Sequence, residues 1–293
     1  LRRLPDGGVG GAWPESDRVA LAADSPRCAE GWRELPDGTC DPVLRADCPA
    51  GGAALPDGTC TATAEVDCPG GVYPDVSGEV GGARVLHVRA GASAAGANGS
   101  VARPFPTIGG AMTIALQGNW VLVAAGDYYE PGTVLVRNVH LVGVCAARVV
   151  WHESSFTPLT VRGVTFHLRS FTVRGGFQGL TARDGANLEI ERVRVEDMSG
   201  CGVLARGEGS VVRIRDSVIR GARPDAMNRN GYGLLADSGG VVFAERTAIL
   251  DTQRVGVFAA ADGSIDLAQS IVRGTRSVGL NAGFGVSNGL GGR

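Results

Sequence analysis

From about Arg84 to the last residue, apolar and polar positions alternate with period two in runs of three to five, broken by Gly and by charged bends. Runs of this kind predict short, half-buried strands. "VLHVRAG" from Val85 predicts the first, and "WVLVAAGDYYE" from Trp120 predicts another that ends in a turn. Between them "PFPTIGGAMTIAL", Pro104 to Leu116, predicts a short capping helix entered through Pro106 and Thr107.

The runs recur. Blocks opening at Gly179, Gly202, Gly233, Gly256 and Gly279 each read Gly, aliphatic, any residue, Ala, at intervals of 23, 31, 23 and 23 residues. The longer interval holds "GARPDAMNRNGY" from Gly221, which behaves as an inserted loop. Aligning the blocks gives one column of Leu180, Val203, Leu234, Val257 and Leu280, and another of Ala182, Ala205, Ala236, Ala259 and Ala282. Two more run Leu188, Val212, Val242, Ile265 and Val195, Ile219, Ile249, Val272. In earlier coils Leu159 and Val161 match Leu180 and Ala182, with Val134 and Val136 below them. Constant spacing with drifting identity is what a coil stacked on its copies requires, each turn returning about 4.8 Å above the last. A period of this length signals a solenoid. Residues 83–293 are therefore predicted to form an all-β, right-handed parallel β-helix with three short strands per coil of 23 residues.

Residues 1–82 follow another pattern. They hold five of the seven Cys, and "CAEGWRELPDGTC" from Cys28 repeats as "CPAGGAALPDGTC" from Cys48, with a third start at Cys68. Pro-Asp-Gly presets tight turns, and so little apolar surface calls for disulfide staples. Spacing favours Cys28–Cys40 and Cys48–Cys60, with Cys40–Cys48 and Cys60–Cys68 as the alternative. Cys145 or Cys201 becomes a partner for Cys68 if the segment folds back. Zinc is disfavoured, since the segment has neither CxxC nor His. Disulfides point to an oxidising compartment, hence to a secreted or cell-surface protein.

Charge narrows the partners. The formal net charge is -2 and all 28 basic residues are Arg, which gives no case for nucleic acid. No apolar run approaches the roughly 20 residues of a membrane-spanning helix. The last block leaves an open coil, whose strand edges would suit end-to-end assembly with a copy or another surface protein.

The stretch "GSVARPFPTIGGAMTIALQGNWVLVAAGDYYE" from Gly99 resembles the opening coil of the pectin-lyase-like right-handed β-helix superfamily. The Cys-rich segment is similar to the preludes of large bacterial surface proteins built on that fold. The resemblance implies the fold and leaves activity open, because the superfamily mixes enzymes with adhesins and fibres. Its uronate lyases hold calcium on clustered Asp residues beside an Arg or Lys base, and its hydrolases use paired Asp residues. Neither constellation is present. His87, His140, His152 and His167 lie in no motif and read as outward strand or loop residues.

Aligned by coil, one bend reads Arg169, Glu191, Arg215, Glu245, Ala268 and its neighbour Ser170, Arg192, Asp216, Arg246, Gln269. Alternating charge predicts a ladder of exposed ion pairs rather than a calcium site, which crowds carboxylates together. A second outward column runs Leu135, Thr160, Thr181, Leu204, Leu235, Phe258, Asn281. Leu204, Leu235 and Phe258 form either an exposed apolar stripe for a partner or one covered by the Cys-rich segment or the 222–230 insertion. Trp120, Tyr128, Tyr129 and Trp151 read as buried core of the first coils. The reading is a secreted or cell-surface β-helix, structural or binding and non-catalytic, with no cofactor, in contact with a polysaccharide or another protein. The alternative is a polysaccharide lyase or hydrolase with Asp216 and Asp225 as acids and Arg223 as base, and calcium enters only there.

Overall fold

The computed structural model describes residues 32–34, 40–42, 68–153, 156–278, 283–289 and 292. The chain divides into two compact units, residues 1–44 and 45–293. In the first, Trp32–Glu34 and Cys40–Pro42 pair antiparallel, flanking the turn predicted at Pro36–Gly38. The predicted staples among Cys28, Cys40, Cys48 and Cys60 involve side chains outside the described residues.

The second unit is a parallel β-helix. Three sheets of eight, seven and seven strands run along it, and each strand pairs in parallel with its counterpart one coil away. The first sheet runs from Val85–Val88 through Asn119–Val123, Val139–Gly143, Thr165–Arg169, Asn187–Glu191, Val211–Arg215 and Val241–Glu245 to Ser264–Ala268. The second runs from Gly126–Tyr129 to Ile271–Arg273, and the third from Thr133–Leu135 to Phe284–Asn288. The predicted columns appear as strand registers: Leu180 faces Val203 and then Leu234, and Val195 faces Ile219 and then Ile249. These residues and the Ala182, Ala205 and Ala236 column lie fully inside the coil.

Two devices turn the strands into coils. The residue after each of the last five first-sheet strands takes a left-handed backbone: Ser170, Arg192, Asp216, Arg246 and Gln269 have φ between 46° and 60°. This corner costs a non-glycine residue about 1–2 kcal/mol and re-aims the next strand. The Gly that opens the blocks at Gly179, Gly202, Gly233 and Gly256 serves close approach. A Cβ on Gly233 would stand 2.5 Å from both the Gly256 carbonyl oxygen and Ile249 Cγ2, so no side chain fits between the coils there.

The first coil is closed by the helix Ile108–Ile114, whose buried Ile108, Ala111 and Met112 cover the end of the core. Thr107 caps it, accepting from the Gly110 N–H at 3.1 Å. The Glu130 carboxylate accepts from the Ile108 and Gly109 N–H groups at 2.6 and 2.7 Å.

One open choice is decided and two expectations are corrected. Of the partners open to Cys68, the one observed is Cys145, so residues from Cys68 fold back onto the β-helix and the Cys60–Cys68 alternative is removed. Thr133 and Leu135, not Val134 and Val136, lie beneath Leu159 and Val161. That one-residue slip exchanges the faces, so Leu135 is core while Val134 and Val136 are exposed. The last block is framed by Gly285 rather than Gly279, because Val257 pairs with Val286 and Phe258 with Ser287. The segment after Arg273 carries extra residues that the constant spacing does not count.

Candidate functional site

In-register parallel strands set equivalent side chains of successive coils one above another, so flat rings in one outward column stack. On the first sheet this column runs Val85, Trp120, His140, His167, Glu189, Arg213, Phe243, Asp266. Trp120 and His140 stack at 4.2 Å and 4°, and His140 and His167 at 4.2 Å and 7°. His167 Nδ1 lies 3.0 Å from Glu189 Oε2. Asn187 donates to the other Glu189 oxygen at 3.3 Å and accepts from Arg213 at 2.6 Å, and the Arg213 guanidinium sits 5.5 Å from the Phe243 ring centre.

A strap from Cys68 to Ala83 covers the upper part of this face. Tyr73, Val76, Val80 and Ala83 pack on Trp120, Leu122 and Val142. The disulfide holds one end of the strap, and Glu79 holds the other by accepting two hydrogen bonds from Arg169 at 2.8 and 2.9 Å. Those bonds hold the Glu79 carboxyl below its ordinary range. Beside the strap, which contributes Glu79 to its wall, a cleft of about 300 Å³ is lined by Glu79, Trp120, His140, His167, Arg169, Glu189, Glu191, Arg213 and Arg215. Burial, then the nearby His167 and Arg169, push the His140 pKa down and favour its neutral ring.

Ring stacking leaves the imidazole edges, not their faces, toward the cleft. The wall thus offers ring nitrogens, carboxylates and guanidinium groups in rows set by the coil pitch, a pattern suited to a polymer rich in hydroxyl groups. The His167–Glu189 pair has further chemistry. With its Nδ1–H directed at a carboxylate, an imidazole presents Nε2 as a proton acceptor. A second cleft of about 470 Å³ lies at the start of the second sheet, where the exposed Tyr129 ring stacks on His152 at 4.4 Å. His152 Nε2 in turn meets Asp127 Oδ1 at 2.7 Å.

The residues proposed for an enzyme do not converge. Asp216 precedes the strand Val218–Arg220 and Arg223 and Asp225 follow it, so they sit at different corners of one coil. Asp216 is held by Arg246 at 2.6 and 3.0 Å. Arg223 lies 3.5 Å from Asp197. Asp225 organises the insertion, accepting from the Met227 and Arg229 N–H groups and the Asn230 amide at 2.9, 2.8 and 3.1 Å, and these bonds lower its pKa. Among the described residues, no three His, Cys, Asp or Glu are grouped to hold a metal ion, and the paired Asp216 does not fit a calcium site. The ion-pair ladder is present: Arg192–Glu191 at 3.2 Å, Arg215–Glu245 at 3.3 Å and the Arg246 pairs.

The apolar column is largely buried. Leu204 and Leu235 are buried at 0% and 7% exposure, Phe258 is half-buried, and they cluster with Cys201 and Tyr232. Leu204 and Leu235 therefore offer no surface to a partner. Trp120, Tyr128 and Trp151 are core as predicted, but Tyr129 is 77% exposed. Sequence reasoning passed over His140 and His167 because they precede the regular blocks. Two of only four His falling in one register was the available signal.

The chain matches no protein-family model and no curated protein. Among solved structures it is similar to an alginate lyase of the PL6 family, AlyGC, at 11% identity and a TM-score of 0.34. The alignment covers 76% of this chain and 41% of that one, so this chain spans well under half of that enzyme's length. A likeness of this degree carries no argument about substrate or mechanism.

Proposed function

We propose that this protein is a secreted or cell-surface binding module of the pectin-lyase-like kind, which holds a segment of polysaccharide in the first-sheet cleft without cleaving it. The observation that carries the reading is the row His140, His167, Glu189, Arg213, fixed on a rigid sheet and flanked by Glu79 of the stapled strap, with Trp120 buried at its end. Binding groups on regular strands are held more rigidly than groups on loops, and ring edges between paired charges supply the directional donors and acceptors that sugar hydroxyls need. The carboxylates first considered for catalysis are engaged with cations or backbone N–H groups in separate corners.

A second reading rests on one contact. The His167–Glu189 pair is built like an oriented general base, so if the chain is a polysaccharide-active enzyme, His167 takes that role in place of Asp216, Arg223 and Asp225. The deciding experiment incubates the full chain with acidic and neutral polysaccharides, with and without calcium, and reads both co-sedimentation and new chain ends. Co-sedimentation without new ends, lost in His167→Ala, is expected. New ends that vanish in His167→Gln establish the enzyme instead, and silence on both overturns the two readings together.

A further inference from the structure

At the end of the third sheet, Arg162, Arg183 and Arg206 occupy one column on three consecutive coils, with Asp237 in the fourth place. Like charges in register about 4.8 Å apart repel one another, so such a column needs counter-charges. Two of the three have them. Arg162 Nε donates to Asp184 Oδ2 at 2.6 Å, and Arg206 Nε donates to Asp237 Oδ2 at 2.8 Å. Arg183, between them, has a buried Nε with no hydrogen-bond partner among the described residues. Burial and the adjacent Arg206 and Arg162 depress its pKa, opposed by Asp184 and Asp237. The flanking side chains stay open to solvent, Arg162 at 52% and Arg206 at 41% exposure.

The corner therefore holds three cations against two carboxylates, and the one left without a partner is the middle one. Arg183 as a whole is only half-buried, so its guanidinium is open to an incoming acceptor, which recovers free energy that an unmet donor on a charged group costs. The guanidinium fork matches the two-oxygen edge of a carboxylate or sulfate, and neighbouring forks at the coil pitch present further donors to the same group. We infer that the Arg162–Arg183–Arg206 corner is a binding site for an oxyanion, a carboxylate or sulfate seated on Arg183 between the heads of its neighbours. This site stands whether or not the first-sheet cleft takes a glycan.

The test uses the full chain, its Arg183→Gln variant and an Arg273→Gln control that removes the same charge elsewhere. Arginine Nε–H resonances are followed by NMR while sulfate replaces chloride at constant ionic strength. One Nε–H signal is expected to shift saturably in the wild type and the control, and to be missing from Arg183→Gln with no loss of thermal stability. A parallel measurement compares retention on immobilised polygalacturonate, dextran sulfate and neutral dextran. Retention on one acidic polymer falling about tenfold in Arg183→Gln, the loss expected for one charge-assisted hydrogen bond, assigns the oxyanion to that polymer. Unchanged retention with the sulfate response lost assigns it to a free anion. No saturable Nε–H shift, or the same shift in Arg183→Gln, overturns the site.

Discussion

The coils from Gln178 to Ala268 and the coils before them hold together by different means. The later coils repeat one solution: aligned apolar inward columns, left-handed corners in register and charges alternating up the corner between the first and second sheets. The earlier coils use devices that occur once each, namely the Ile108–Ile114 cap, the Cys68–Cys145 bond, the strap with its Glu79 clamp and the Trp120–His140–His167 stack. Repetition stabilises by adding like rungs, so any one rung is dispensable except where space is absent. The unique devices are not backed up in this way, and the clefts with stacked aromatic rings lie where they meet.

The largest effect should come from the strap. Cys68→Ser opens a link between residues 77 apart, and a loop of that size is worth about 4 kcal/mol. Hydrogen exchange should rise in the first coils and Trp120 fluorescence should shift red, while the coils beyond Gln178 keep their protection. Equal loosening of all coils would break the comparison. Gly233→Ala probes the opposite region. Its methyl group would be driven into the Gly256 carbonyl and Ile249, and overpacking of this kind costs about 3 kcal/mol by urea denaturation. A rung that tolerates the methyl group would show that the later coils are more plastic than their register implies.

Glu130→Gln tests the cap, at about 1–2 kcal/mol for one helix N–H group left facing an amide NH2 instead of an acceptor. Burial raises the Glu130 pKa, opposed by the Gly109 and Ile108 N–H groups. A carboxyl raised in the folded state contributes stability that is full below its unfolded pKa and is lost as pH rises through the folded value. The stability gap between wild type and Glu130→Gln should therefore shrink as pH rises from the ordinary carboxylate pKa upward. A pH-independent gap would remove Glu130 from that account. Arg246→Gln takes out one ladder rung and should cost under about 1 kcal/mol, since the pair is partly exposed and screened.

The smallest effect concerns the stack. His140, depressed by burial and by His167 and Arg169, contributes stability present above the unfolded histidine pKa and lost as pH falls through its folded value. Its NMR titration should lie below the ordinary histidine range and move up in His167→Asn. An unchanged midpoint would mean that burial and Arg169 set it without His167.

The sequence by itself determined the solenoid, the coil length, the inward columns from Leu180 onward and the charge ladder, because each is a local pattern written again every coil. The first and last coils were less legible. Variable connections break the count there, so the frame slipped by one at Val134 and by six at Gly279, and a one-residue slip is enough to exchange inside and outside. The candidate site was least legible of all. That Cys68 meets Cys145, that Glu79 clamps Arg169, and that His140 stacks on His167 are contacts between segments with no shared period. Such contacts are set by how the coils stack and where the strap lands, and only the tertiary structure decides that.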